Sequence, residues 1–432
     1  MLYTDFTEKL IGLQGVKVTK IEKGEKEISI FAQMQRKSHF CPVCNNETTK
    51  IHDYRTQTIK DVNAFGCSVL IHLKKRRYRC SCCGKRFFEQ NIFLPKYQRS
   101  TTRLKEFVID RLRSERSYTS IAKETGLSVS TVIRYFDCVS YPRAKLSEVI
   151  AIDEFKGNTN GEKYQCILTD PKNKVVLDIL PQRYSSYLTK YFKEYSRDER
   201  QKVKYFISDM WKTYSETASV WFKNSTQVVD KYHWIRQAVW AFENVRKQEQ
   251  KKLGPELRKY FKRSHSLLIR RTRNLTEEQK QQVAVMLYYS VNLSRAYYYK
   301  EDFLNILSCA DKNEARKVMS EWIANAECCS IPQFEKCAGT MRNWYSGIIN
   351  SFSVEYTNGF TEGGNNKIKV LKRNAYGYRN FKRFRNRILH MFSYQRDKLT
   401  GLSQNVKKHS GSPRFLRKIN KKKNRRQNLT AK

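Results

Sequence analysis

Between residues 148 and 235 short apolar runs alternate with stretches of helical spacing. Val149-Ile-Ala-Ile152 is apolar and ends in Asp153 and Glu154; Tyr164–Asp170 and Val175–Leu180 are further apolar runs, joined by short polar connections that suit hairpins. Tyr187–Arg200 predicts a helix. Lys204–Asp209 predicts a fourth strand, followed by a helix through Trp211 and Tyr214. Gln227–Asp230 predicts a fifth strand, entering a helix that carries His233 and Trp234. From about 235 to 345 the chain is rich in Lys, Arg, Tyr and Leu and keeps helical spacing.

Three strands, then helix, strand, helix, strand and helix, is the order of a ribonuclease H-like fold. It predicts an α/β core with a mixed sheet, in which polar residues collect at strand ends. Two aspartates, Asp153 and Asp209, end apolar strands. Carboxylates beside apolar runs need a counter-cation, and hard oxygen ligands suit Mg²⁺ or Mn²⁺. Asp170, Asp178 and Asp230 compete on pattern alone, since strand-end carboxylates often serve turns and caps.

Charge narrows the partner. Among 432 residues, 84 Lys and Arg oppose 41 Asp and Glu, a formal net charge of +43. That is about one uncompensated positive charge per ten residues, more than solubility requires. Such a chain repels itself unless a polyanion neutralises it, so nucleic acid is the expected partner ahead of a membrane surface. No apolar run reaches the roughly 18 residues of a membrane helix, and Met1–Asp5 lacks the basic start of a signal peptide. In the reducing compartment this predicts, twelve cysteines are better metal ligands and buried thiols than disulfides.

Two pairs stand out, Cys41-Pro-Val-Cys44 and Cys80-Ser-Cys82-Cys83. Each C-x2-C turn points two thiolates at one tetrahedral cation, so the pairs predict a closed four-sulfur Zn²⁺ site on a small sheet, with strand-like stretches between Thr58 and Arg79. Cys80 and Cys83 are the natural second pair, with Cys82 as the substitute. His39, His52 and His72 match no ligand spacing. Lys74, Lys75, Arg76, Arg77, Arg79, Lys85 and Arg86 crowd the second turn, where phosphate is the expected neighbour.

Leu104, Phe107, Val108, Arg111 and Leu112 keep helical spacing, and Tyr118–Tyr135 predicts a helix-turn-helix. Ala122 is the small residue at the crossing, Gly126 takes the turn, Ser128 caps the second helix and Val132 packs back. That helix offers Ser130, Thr131 and Arg134 to a major groove. Far downstream, Glu362, Asn366 and Lys369 fall on one helical face, with Gly363 and Gly364 leaving room for a DNA backbone to approach.

These residues resemble the insertion-sequence transposases of the ISL-three family, with a DDE core. The resemblance rests on Ala151-Ile-Asp153-Glu-Phe155, Ile207-Ser-Asp209-Met-Trp211, Val229-Asp230-Lys-Tyr-His233, Thr361-Glu362-Gly-Gly-Asn-Asn366-Lys-Ile-Lys369 and Tyr376-Gly-Tyr378-Arg379-Asn-Phe381, besides the paired cysteines. It covers about residues 38 to 400. It implies that Asp153, Asp209 and Glu362 are the catalytic triad holding Mg²⁺ or Mn²⁺, and that Asp230 and His233 form a subsidiary motif. The 152 residues between Asp209 and Glu362 imply an inserted helical domain. Related enzymes place Arg four residues before the Glu and Lys seven after it; Lys369 fits, but residue 358 is Asn. Lys369 and Arg373 are further expected DNA contacts.

The expected organisation is a zinc ribbon (1–95), a helix-turn-helix (96–142), the first part of the core (143–250), a helical insertion (251–345), the last core helices (346–400) and a basic tail (401–432). The tail carries Arg414, Arg417, Lys418, Lys421, Lys422, Lys423, Arg425, Arg426 and Lys432 and no acid from 404 onwards. It suits a solvated tail and a phosphate grip equally. A bacterial, cytoplasmic, nucleoid-associated transposase is expected, acting on double-stranded DNA, its terminal inverted repeats and target DNA, as a homodimer. The rivals are a DNA-binding regulator with a relic core and a nuclease without strand transfer.

Overall fold

The computed structural model describes residues 8–94 and 97–393; the basic tail lies outside them. The chain divides into two compact units. One comprises the chain up to Tyr141 with Arg373–Tyr376; the other begins at Pro142 and excludes that short segment.

In the first unit, β1 (Val16–Lys23), β2 (Glu27–Met34), β5 (Ile51–Lys60) and β6 (Ser68–Arg79) form a sheet in the order β1-β2-β6-β5, with β7 (Arg86–Phe88) pairing β6. A separate small hairpin joins β3 (His39–Phe40) to β4 (Glu47–Thr48). Ile28, Ile30, Ala32 and Met34 alternate inward on β2, against Val69, Ile71 and Leu73 of β6. The module is therefore larger than a minimal ribbon. Strands β1 and β2 lay outside the sequence analysis, although Ile28, Ile30, Ala32 and Met34 alternate with less buried residues as in a sheet wetted on one face.

Three helices follow, α1 (Thr102–Arg111), α2 (Tyr118–Thr125) and α3 (Val129–Phe136). Leu104, Val108, Ile121, Ala122, Val132 and Phe136 share one core. Ser117 caps α2, accepting the Ser120 amide, and Gly126 ends it in the left-handed region at φ 60°. Ser128 caps α3 by accepting the Thr131 amide.

The second unit is built on a mixed sheet of β8 (Val149–Thr159), β9 (Glu162–Asp170), β10 (Val175–Leu180), β11 (Tyr205–Ser208) and β12 (Thr226–Val229), in the order β10-β9-β8-β11-β12. The first three strands pair antiparallel, and β8, β11 and β12 run parallel. Helices α4 (Ser185–Lys193) and α6 (Lys212–Trp221) cover one face, where Leu188, Phe192, Tyr214 and Phe222 pack on Ile150, Ile152 and Phe206. Between them lies α5 (Arg197–Gln201), so the single helix expected over Tyr187–Arg200 is two.

Asp153 does not end its strand, as the apolar pattern suggested. It sits in mid-strand, because Phe155, Gly157 and Thr159 continue the inward alternation. A Cβ at Gly157 would fall 1.6 Å from Gln165 Oε1, so a side chain here would displace the buried Gln165 amide.

After β12 comes a run of helices, α7 (Lys231–Lys252), α8 (Pro255–Arg263), α9 (His265–Ile269), α10 (Glu277–Tyr288), α11 (Val291–Asn305), α12 (Lys312–Glu327), α13 (Pro332–Asn343) and α14 (Tyr345–Asn350), which contains the 251–345 expected as an insertion. Its core, around Trp234, Phe242, Met286, Phe303, Met319 and Phe334, runs on to Val229 of β12. The chain then returns to the sheet in α15 (Gly359–Asn374) and α16 (Phe381–Met391).

Candidate active site and metal centre

Strand register gathers the aspartates. Ala151 pairs with Ile207 in β8/β11, and Ser208 with Val229 in β11/β12. Continued by two residues and by one, that register sets Asp153 of β8 abreast of Asp209 and Asp230, which stand just past the ends of β11 and β12. The Asp230 amide donates to the Ser208 carbonyl at 2.9 Å, closing the row. The two-residue period puts Asp153 on the face of Val149 and Ala151, opposite to the α4/α6 side.

Helix α15 lies on that same face. The Thr361 and Thr169 hydroxyls bond at 2.8 Å, and Asn365 Nδ2 donates to Asp153 Oδ2 at 2.9 Å. A Cβ at Gly364 would stand 3.3 Å from Ile167 Cδ1, while Gly363 faces open space. Gly364 thus serves packing on the sheet, not a DNA backbone; only Gly363 leaves the room expected of both. Glu362 projects from the first turn of the helix and is exposed, as are Asn366, Lys369 and Arg373. Asn365, one turn beyond Glu362, escaped the sequence analysis. Its signal was the doubled Asn, since Asn365 at i+3 and Asn366 at i+4 both fall within a turn of Glu362, and only the fold shows that Asn365 is the buried one.

Burial pushes the Asp153 carboxyl up to about 7, reinforced by the charges of Asp209, Glu154 and Asp230 against the lowering amide of Glu154. Burial also pushes Asp209 up to about 6, with Glu154 and Asp230 adding to it. Asp230 rises to about 6 through burial and then the charge of Glu362. Asp230 is therefore the electrostatic link between Glu362 and the other two aspartates. Glu154 has its own counter-charge, Arg183 at 2.6 Å. His233 Nε2 lies 3.9 Å from Asp230 Oδ2, and burial, with the charge of Arg236, lowers its pKa.

Buried polar atoms without a hydrogen-bond partner ring this cluster: Asp230 Oδ2, Asn365 Oδ1 and both amide atoms of Asn358. Unpaired buried oxygens beside uncompensated carboxylates fit a divalent cation with hard oxygen ligands. The carboxylates are not drawn to one point, however. Among the described residues only the four cysteines bring three or more ligand atoms all within 4.8 Å of one another. Asn358 is 1% exposed, so it does not take the phosphate-facing place of the related enzymes' Arg.

The competing aspartates have other partners. Asp170 accepts from the Asn173 amide (3.0 Å) and side chain (2.7 Å), closing the β9–β10 turn. Asp178 accepts from Arg385 at 2.6 Å and from the Tyr191 hydroxyl at 2.9 Å.

The cysteine centre is assembled by two near-identical turns. Asn45 N–H donates to the Cys41 carbonyl and Gly84 N–H to the Cys80 carbonyl, and both turn residues have positive φ, 58° and 70°. Cys41–Cys83, Cys44–Cys80 and Cys44–Cys83 sulfurs stand 3.5 Å apart. Zn–S bonds of about 2.3 Å in a tetrahedron set sulfurs about 3.8 Å apart, so the residues fit zinc. Burial would raise the Cys41 thiol, but the amides of Cys44 and Val43 and the neighbouring thiols bring it down to about 6. The amide of Cys83 likewise lowers Cys80. Cys82 is exposed and outside the cluster, which is formed by Cys41, Cys44, Cys80 and Cys83.

On α3, Ser130 and Arg134 are exposed and Thr131 is half-buried. Arg134 Nη2 donates to Thr131 Oγ1 at 3.4 Å, so the three share one outward surface. Among the described residues no helix is long and apolar enough to cross a membrane.

Comparison with known proteins bears on every part of this arrangement. Residues 150–388 match the transposase domain of the ISL3 family. Residues 37–83 match the zinc finger of the transposases of IS204, IS1001, IS1096 and IS1165, and residues 89–138 the helix-turn-helix domain of ISL3-family transposases. The transposase for insertion sequence element IS1001 of Bordetella parapertussis is 26% identical over 390 residues, 88% of this chain and 96% of that protein. The transposase for IS1557 of Mycobacterium tuberculosis is 29% identical over 126 residues, 29% of this chain and 28% of that protein.

Proposed function

Because the chain belongs to the ISL3 family of transposases, we propose that it cuts and joins DNA at the ends of its own insertion sequence by DDE chemistry, with Asp153, Asp209 and Glu362 as the catalytic carboxylates. One observation carries this reading: Asp153 and Asp209 stand abreast at adjacent parallel strands, and the helix bearing Glu362 is tied over them by the bond from Asn365 to Asp153. The strand order of the core supports a ribonuclease H-like fold.

The three carboxylates would hold Mg²⁺ or Mn²⁺, with Asp230 and His233 as the subsidiary pair beside them. When bound, such ions supply charge stabilisation to the attacking and leaving oxygens of an in-line phosphoryl transfer. Water attacks first and frees a 3′-hydroxyl at the element end; that hydroxyl then attacks a target phosphodiester. No Ser or Tyr nucleophile is needed. Asn365 orients Asp153 through its amide. Lys369 and Arg373, exposed on α15, grip phosphates, while Ser130, Thr131 and Arg134 contact the terminal repeats. Zn²⁺ on Cys41, Cys44, Cys80 and Cys83 rigidifies the first unit, whose basic strands face DNA. Two copies engage the two ends as a homodimer.

The test is joining of pre-cut element ends to a supercoiled target. Wild-type protein with Mg²⁺ should join them, and Glu362→Gln should bind the ends but join none. Joining by Glu362→Gln removes Glu362 from the triad. Nicking without joining by the wild type makes the protein a nuclease, and binding without either makes it a regulator.

A further inference from the structure

The helical insertion holds a cavity of about 750 Å³ that the proposed chemistry does not use. It opens between the turn Arg271–Leu275 and helices α10 and α11, within the size range of sites that enclose a small ligand. Its charges are unusually arranged. Arg271 Nη2 and Arg273 Nη1 both donate to the one Ser308 hydroxyl, each at 3.2 Å. Two guanidinium groups are thus held side by side with a single neutral acceptor between them.

Glu301, the carboxylate lining the cavity, acts on Arg271 only through its field, because its oxygens are engaged by other groups. Its Oε1 lies 2.6 Å from the ammonium of Lys300, a fully buried lysine, and its Oε2 accepts the Thr272 amide at 2.9 Å. Lys300 also donates to the Leu268 and Arg270 carbonyls, which fixes the turn from beneath. Like charges braced together by a rigid floor make an anion site, because an entering phosphate removes their repulsion and takes their free N–H donors in pairs.

Aromatic rings complete the lining. Tyr288 is 89% exposed and Tyr298 is 63% exposed, both on the cavity wall, while the Tyr297 hydroxyl is held by Thr272 at 2.9 Å. Exposed rings beside paired guanidiniums are the equipment of single-strand recognition, where bases stack and phosphates are gripped without regard to sequence.

We propose that this cavity binds an unpaired segment of DNA strand, with a base stacked on Tyr288 and its phosphate held by Arg271 and Arg273. The proposal goes beyond the cutting reaction and needs no metal, so it is read separately from it.

The experiment is fluorescence anisotropy of the full chain, in magnesium-free buffer, with a labelled single strand of about 20 nucleotides. The same sequence as a duplex is measured beside it. Tyr288→Ala and the pair Arg271→Gln/Arg273→Gln should each weaken single-strand binding by about tenfold, with duplex binding little changed. Tyr288→Phe should bind like the wild type, since it keeps the ring. The control pair Arg258→Gln/Lys259→Gln, exposed on α8, removes the same two charges and should cost much less. Equal losses in the control and cavity pairs, or wild-type binding by Tyr288→Ala, overturn the proposal. So does displacement of the strand by ATP at concentrations like those of the strand's own nucleotides, which would make the occupant a free nucleotide.

Discussion

The two candidate metal centres of this protein are opposite solutions to one problem. The cysteine centre is made by two local turns, each four residues from ligand to ligand, and its sulfurs already lie within 4.8 Å of one another. The carboxylate centre draws on β8, the ends of β11 and β12, and a helix that follows the whole insertion, and its groups stay apart. A closed soft-ligand site suits a structural ion, held for stability. An open set of hard ligands, spread and electrostatically strained, suits ions that must also admit a substrate. The difference teaches that a clamping site is closed by two local turns, whereas the proposed catalytic site is assembled from distant segments and left open.

The sharpest way to break that contrast is catalytic. Asp153→Asn, Asp209→Asn or Glu362→Gln should each lower strand joining by on the order of a thousandfold or more, and pairs should lower it little further, because the three act as one unit. Asp170→Asn, outside the cluster, should keep most activity. Full activity in any single triad variant, measured in the joining assay, removes that residue from the site.

The next effect is structural. Cys41→Ser/Cys44→Ser should bring zinc from about one per chain to none and unfold the first unit, since a structural zinc site contributes folding energy outright. Elemental analysis and far-ultraviolet circular dichroism check this. A full zinc complement in the double variant would falsify the ligand assignment.

The strain of the carboxylate centre should show in pH dependence. The folded-state pKa values of Asp153, Asp209 and Asp230 are raised, to about 7, 6 and 6. Their contribution to metal-free stability is therefore complete below the ordinary carboxyl range and is lost as pH rises through 6 to 7. Mg²⁺ should restore it, binding more tightly as the protons leave. Melting temperatures with and without Mg²⁺ from pH 5 to 8 read this out, and Asp153→Asn should flatten the metal-free slope. A wild-type slope no steeper than that of the variant speaks against the strain.

The smallest expected effect lies on the helix-turn-helix. Arg134→Ala should weaken binding to the element ends by about 1–3 kcal/mol if it reads a base through two hydrogen bonds, and leave random DNA nearly unaffected. Equal losses on both DNAs would reassign Arg134 to phosphate.

What the amino-acid sequence determined by itself is whatever depends on near neighbours. The C-x2-C turns, the Ser128 cap, Gly126 and the order of strands and helices in the core were all legible, because each is written within about a dozen residues. Tertiary structure alone decided which carboxylates stand together. Asp178 looks like Asp153 in the sequence, and only the fold gives it Arg385 as a partner, whereas Asp170 closes a local turn with Asn173. Only register aligns Asp153, Asp209 and Asp230, and only the return of α15 across the sheet brings Asn365 to Asp153 over 212 residues. Such contacts carry no local periodicity, because they are set by packing between segments whose separation along the chain leaves no trace in either one.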